Sequence, residues 1–255
     1  MKTIFITGAT ENTGLAIARH FASNGYDVAL SSRSKERACK TALDLSDEFQ
    51  INSKGYALNL TDINDITEVF GKVKEDFGQI DVFVANSANL GIGVGVMNTS
   101  PDDFDSIMNV NARGTFFCCQ KAASAMIEQG YGNIVIIGSI QSKGAVRGRT
   151  VYSMSKSAVS SLTKCLAYEL GEYNIRVNSV VAGAIHSSRW DNLTEDELNL
   201  RRNRYPLGRE ASEQDIANAV FYLGTELSSS TTGIDLIVDS GLSTCLLPYS
   251  KACTN

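Results

Sequence analysis

Short, β-branched apolar runs alternate with helical periods along the whole of this 255-residue chain, and no other feature constrains its fold as strongly. Seven runs read as strands: TIFIT (3–7), DVALSS (27–32), GYALNL (55–60), VFVAN (82–86), NIVIIGS (133–139), RVNSVVA (176–182) and IDLIVD (234–239). Several are apolar almost throughout, as parallel strands are when helices cover both faces of their sheet. Helical periods fill the intervals at about 13–24, 35–49, 63–77, 102–128, 152–171 and 213–226. TSPDDF (99–104) is a helix start, with Ser100 as cap, Pro101 at the first position and acids in the first turn. The alternation predicts an α/β fold: a doubly wound parallel sheet with right-handed crossovers. No linker, repeat or low-complexity tract interrupts it, so residues 1–255 are expected to form a single domain, with the mixed segment 184–209 as a substrate lid.

Composition removes several function classes. A net charge of -5 leaves no basic footprint for nucleic acid. No apolar run approaches the roughly 20 residues of a membrane span. The opening TIFIT is too short for a secretory segment, which predicts a cytoplasmic protein. The six cysteines (Cys39, Cys118, Cys119, Cys165, Cys245, Cys253) show no CxxC pair, so they read as reduced thiols rather than metal ligands or disulfides. Only His20 and His186 could serve histidine chemistry, and no GxSxG elbow accompanies them. His20 falls on the first helix and reads as a packing residue.

The chemistry gathers in two places. After the first strand, GATENTG (8–14) delivers the chain to a helix N-terminus, where free N–H groups and the helix dipole can hold a pyrophosphate. Taken alone, such a turn is weak evidence. VYSMSK then places Tyr152 and Lys156 four apart, on one face of a helix. Ser139 ends a strand thirteen residues before Tyr152, and Asn111 lies in the helical pattern FDSIMNVNARGTFF.

These residues together resemble the short-chain dehydrogenase/reductase family in its compact, Rossmann-type form, from Thr7-Gly8 through Tyr152-x-x-x-Lys156 to IDLIVDSG. The resemblance implies transfer of hydride between a nicotinamide cofactor and a ketone or secondary alcohol. It assigns Tyr152 as general acid/base, and Lys156 as the cation that favours tyrosinate and binds the nicotinamide ribose. Ser139 would hold the substrate oxygen, and Asn111 would position a water that relays protons to Lys156. A free tyrosine, with a pKa near ~10, needs such help to act at neutral pH. The resemblance further implies cofactor contacts at Gly8, Thr10, Asn12, Thr13, Gly14, Ser32, Arg33, Asn59, Leu60, Asn86, Lys156, Gly183, Ile185 and Ser187.

Several positions depart from the family pattern. Asn12 replaces the middle glycine of the turn, but asparagine tolerates φ > 0 better than most residues. ANSA (85–88) keeps only Asn86 of Asn-Asn-Ala-Gly, Asn59 replaces an Asp, Ala182-Gly183 replaces Pro-Gly, and Ser187 replaces Thr. NAD-preferring members carry an acid after the second strand; here Ser31, Ser32 and Arg33 stand there, which favours NADP(H) over NAD(H). Glu11 opposes this, since it sits where NADP-preferring members often carry a base.

The segments 89–97, 140–151 and 186–190 are expected to line the substrate pocket. Gln141, Lys143, Arg147, Arg149 and Arg189 hint at a polar or anionic substrate, and Trp190 would cap the pocket or pin the lid. By resemblance the chain forms a homotetramer, or alternatively a dimer, through helices 102–128 and 152–171. A tail apolar at Leu246, Leu247 and Tyr249 would join a second contact. Two other readings stand beside the dehydrogenase. One is a catalytically weak nucleotide sensor or scaffold of the same fold. The other is a non-redox relative such as a halohydrin dehalogenase, which Lys156, Gly8 and Gly14 disfavour.

Overall fold

The structure is a computed structural model, and it describes residues 1–186, 190 and 192–244. Seven parallel strands form one sheet in the order β3-β2-β1-β4-β5-β6-β7. They are β1 (Thr3–Thr7), β2 (Asp27–Ser32), β3 (Ser53–Ala57), β4 (Val82–Ala85), β5 (Gly132–Ser139), β6 (Ile175–Ala182) and β7 (Asp235–Val238). The α-helices are α1 (Asn12–Ser23), α2 (Lys35–Phe49), α3 (Ile63–Phe77), α4 (Pro101–Met108), α5 (Thr115–Gln129), α6 (Thr150–Leu170), α7 (Glu195–Arg202) and α8 (Glu213–Gly224). Strand order reverses between β1 and β4, so a crevice opens there at the carboxyl ends of the strands.

Alternating side chains build two cores from each strand. In β1, Ile4 and Ile6 pack with α1, α2 and α8, against Ile17, Phe21, Leu45 and Val220. Phe5 points the other way, into a cluster with Phe70, Phe83, Cys119 and Met126 from the α3 and α5 side. Its ring meets Phe70 edge-on at 5.0 Å. Full burial of side chains such as Phe5, Phe21 and Phe83 contributes about 1.5–3 kcal/mol each. Ser34, Asp62, Ser100 and Ser212 cap helix starts with their side chains, and Pro101 enters α4 as expected.

Three expectations change. The third strand lies at Ser53–Ala57 rather than 55–60, because it pairs only with β2 and that strand ends at Ser32, opposite Ala57. The helix expected over 102–128 is interrupted by a π-helical turn at Asn109–Gly114. That wide turn holds Asn111 fully buried, and only glycine fits at 114, since a β-carbon there would lie 2.6 Å from the Leu60 carbonyl oxygen. The segment 184–209 contains α7, which the sequence reading missed. Its polar, capped face buries nothing, so it leaves no apolar periodicity to read. His20 packs edge-on to Phe221, a structural role as expected. Cys39, Cys118, Cys119 and Cys165 are free thiols, and among the described residues no cluster could hold a metal and no helix is long and apolar enough to cross a membrane.

Candidate active site

The turn after β1 is shaped by positive φ angles at Gly8 (66°) and Asn12 (50°), so Asn12 adopts the glycine-like conformation its chemistry tolerates. Glu11 precedes α1 in extended geometry and offers no side-chain cap, which leaves the first N–H groups of the helix without a side-chain acceptor. Gly14 seats α1 directly on the turn. A β-carbon there would lie 2.2 Å from Gly8 O, 2.7 Å from Asn86 Nδ2 and 2.8 Å from Ala9 Cα. Asn86 ties the end of β4 to the same turn, with Nδ2 donating to Thr7 O (3.0 Å) and Gly8 O (2.8 Å). Its backbone N–H donates to Thr7 Oγ1 at 3.0 Å. Thr10 and Thr13 are half-buried on this turn.

At the end of β2, Ser32 Oγ accepts from Ser34 N at 3.1 Å, and Arg33 is exposed beside it. Glu11 accepts a 2.8 Å bond from Arg37 Nη2. The sequence reading missed Arg37 as Glu11's partner, because the pair spans two elements. Asn59 is occupied locally: its Oδ1 accepts from Thr61 N (3.1 Å) and Thr61 Oγ1 (2.8 Å). Leu60 is buried next to it.

The residues expected to handle protons lie around the end of β5 and the first turns of α6. The buried face of α6 carries Tyr152, Ser155, Lys156 and Val159, spaced at one and two helical turns. Lys156 Nζ lies 5.8 Å from the Tyr152 ring centre and donates to Ile137 O at 2.7 Å. The Ser139 hydroxyl lies near the Tyr152 phenol, and its oxygen accepts from Gln141 N at 3.2 Å. Asn111 is locked in place: Oδ1 accepts from Asn89 N (2.7 Å), and Nδ2 donates to Asn89 O (2.9 Å) and Ser155 Oγ (3.0 Å). Ser155 and Asn89 are supports the sequence reading did not identify, although Ser155 falls on the Tyr152 face of the helix. Burial pushes the Tyr152 phenol pKa up, while the Ser139 hydroxyl and the Arg149 charge pull it down. On balance the phenol pKa lies above its ordinary value, so the phenol holds its proton at neutral pH.

Burial lowers the Lys156 pKa from 10.5 to about 8. Below about pH 8 the folded chain holds a buried ammonium, at a cost on the order of 3 kcal/mol. Between about 8 and 10.5 the folded lysine has released its proton while the unfolded one keeps it, so stability rises with pH. Melting curves of wild type and Lys156→Met across this range should therefore converge in the wild type's favour as pH rises. A constant difference in Tm would contradict the assignment.

The segment 184–209 is fastened at its base. Gly183 N donates to Val238 O at 2.9 Å, and Ile185 bridges Ala211. Glu210 receives Arg202 through Nε (2.9 Å) and Nη2 (2.8 Å), and His186 Nδ1 lies 3.0 Å from it. The Arg202 bonds come first among the causes that hold the Glu210 carboxyl down at about 2. Trp190 is buried, 5.1 Å from the Arg201 guanidinium and 5.7 Å from the His186 ring, and so pins the segment. Ser187, expected at the cofactor, Arg189, and the tail residues Leu246, Leu247 and Tyr249 lie outside the described residues. Two expected pocket cations are engaged within the chain: Lys143 with Asp235 at 3.1 Å, and Arg149 with the Leu90 carbonyl.

Known proteins resemble this chain in sequence and fold. A family model described as enoyl-(acyl carrier protein) reductase matches residues 8–243. The chain is 34% identical to an NADP-dependent mannitol dehydrogenase of Hypocrea jecorina, covering 95% of this chain and 92% of the relative. It is 35% identical to a 3alpha-hydroxysteroid dehydrogenase of Mediterraneibacter gnavus, covering 93% and 95%. Among solved structures, a gluconate 5-dehydrogenase from Burkholderia cenocepacia in complex with NADP and tartrate superposes with a TM-score of 0.89 at 27% identity, covering 96% of each chain. Fold, coverage and identity agree: the chain belongs to the short-chain dehydrogenase/reductase family of oxidoreductases.

Proposed function

We propose that this chain is a single-domain, NADP(H)-preferring oxidoreductase that interconverts a ketone and a secondary alcohol, with Tyr152 as general acid/base. The observation that supports the reading is that Tyr152 and Lys156 share the buried face of α6, with Asn111 tied to that face through Ser155 and Ser139 at the end of β5, in the same sheet whose first strand leads into the Gly8–Gly14 turn. That turn fits a pyrophosphate: its helix start is uncapped, and the space at Gly14 admits no β-carbon. Gly8, Thr10, Asn12, Thr13 and Gly14 would hold the phosphates, while Ser32, Arg33, Asn59 and Leu60 would hold the adenosine end. Asn86, Lys156, Gly183, Ile185 and Ser187 would hold the nicotinamide end. The bound nicotinamide supplies or accepts hydride.

Tyr152 gives its phenolic proton to the substrate oxygen in reduction and takes it back in oxidation. Ser139 orients that oxygen by hydrogen bonding. Lys156 holds a positive charge near the phenol, and the Asn111 turn carries a water through which its proton is replaced. The segment 184–209 closes over the substrate.

Arg33 carries the cofactor preference, and the Glu11–Arg37 pair supports it by removing the opposing charge. Arg33→Ala should raise KM for NADPH about tenfold or more and leave NADH unchanged. An unaltered NADPH value overturns the assignment.

With Lys143 and Arg149 already bonded, a neutral polyol or ketose fits better than an anion. The names of the mannitol dehydrogenase and of a solved xylitol dehydrogenase structure agree with this. A panel of sugars, hydroxy acids, steroids and acyl thioesters tests it; NADPH binding without turnover on any of them would favour the sensor reading.

The chain also fits a homotetramer assembled through α5 and α6, which leave Phe116, Met154 and Tyr168 exposed. Light scattering on a sizing column should give the tetramer mass; a monomer would contradict it.

A further inference from the structure

Two pocket segments beside Tyr152 meet at one side chain. The glycine-rich segment 89–97 passes so close that a β-carbon on Gly91 would lie 3.9 Å from Tyr152 Cβ. The chain entering α6 joins it where Val94 bridges Arg149, and a β-carbon on Gly148 would lie 3.5 Å from Gly93 Cα. Arg149 Nη1 donates to the Leu90 carbonyl, which fixes the side chain. Its guanidinium carbon then lies 5.6 Å from the Tyr152 ring centre, as near as Lys156 Nζ at 5.8 Å. Lys156 is already donating to a backbone carbonyl; Arg149 is a permanent charge at every accessible pH.

We infer that Arg149 is a positioning residue for Tyr152: pinned by the segment 89–97, its guanidinium sets a fixed positive charge against the ring and favours the tyrosinate that alcohol oxidation requires. The inference rests on the acid/base role proposed for Tyr152. Apart from Lys156, whose charge is lost above about pH 8, the other groups near the ring do not supply this charge. Arg113 of the π-helical turn is engaged on the Thr61 carbonyl and the Phe117 ring. In α4, Asp102 and Asp105 are exposed and Asp103 accepts from the Ser100 cap. Strand β5 contributes only the Ser139 hydroxyl, and Lys143 beyond it is paired with Asp235. The pull of Arg149 on the phenol proton agrees in direction with this geometry.

Titration of the Tyr152 ring signal by NMR on ring-labelled protein, assigned by its loss in Tyr152→Phe, tests the inference. Arg149→Met should hold about tenfold less tyrosinate at a given pH, and Arg149→Lys should restore most of it. Should Met loosen the two segments enough to unfold the chain, Arg149→Gln still donates to Leu90 and gives the same comparison. An unmoved midpoint in the neutral variants, or an equal shift in Arg149→Lys, overturns the inference, since then the charge is not what acts. The titration needs neither cofactor nor turnover. A chain that oxidised no alcohol would defeat the functional reading and still report on Arg149.

Discussion

Tyr152→Phe should lower turnover with NADPH and a ketone by ~10²–10⁴-fold while leaving NADPH binding intact, because it removes one oxygen and nothing else. On the proposed reading, the phenol is the group that gives its proton to the substrate. Lys156 donates to Ile137 O, and Asn111 is held by Asn89 and Ser155. The ring is buried, so Phe fills the same space and the fold should be retained. Initial rates and a fluorescence titration with NADPH separate the two effects. A variant that keeps its rate would remove Tyr152 from the chemistry, and one that loses NADPH binding as well would turn it into a structural residue.

Gly14→Ala should cost about 1–3 kcal/mol or more and weaken NADPH binding severely, because it forces α1 off its turn. The added carbon would sit 2.2 Å from one backbone atom and 2.8 Å from another, and neither can rotate aside. Moving α1 also breaks the seat of Asn86 on Thr7 and Gly8. Gly71→Ala in α3 is the control, since its added carbon meets nothing within 4 Å. There the helix should gain about 0.5–1 kcal/mol. Opposite shifts in Tm for the two variants are expected; equal shifts would show that the close approach at Gly14 is not what the site depends on.

The fold was legible because its strands are buried on both faces. Runs such as NIVIIGS and RVNSVVA have no alternation that a helix or an exposed strand would impose, and they became β5 and β6. The edge strand was placed less well, since its limits are set by where β2 ends rather than by its own residues. The π-helical turn left no mark in FDSIMNVNARGTFF, because one extra residue per turn changes no residue type. The nearness of Tyr152 to Lys156 was legible through their spacing along one helix, and Ser139 through its place at a strand end. What stayed hidden were contacts between distant segments: Glu11 with Arg37, Asn111 with Asn89, and Arg149 with Leu90. Each pairs residues whose own positions look like ordinary surface or loop. Only the fold brings Arg37 of α2 to Glu11 before α1.

The central claim is that this cluster moves protons for a nicotinamide-dependent reaction at a carbonyl. Mixing the full chain with NADPH and a panel of ketoses and ketones, and following the absorbance of the reduced nicotinamide, tests it most directly. Consumption of NADPH by the wild type with at least one ketone, and its loss in Tyr152→Phe, is the predicted result. Failure of the chain to bind either NADPH or NADH would contradict the account.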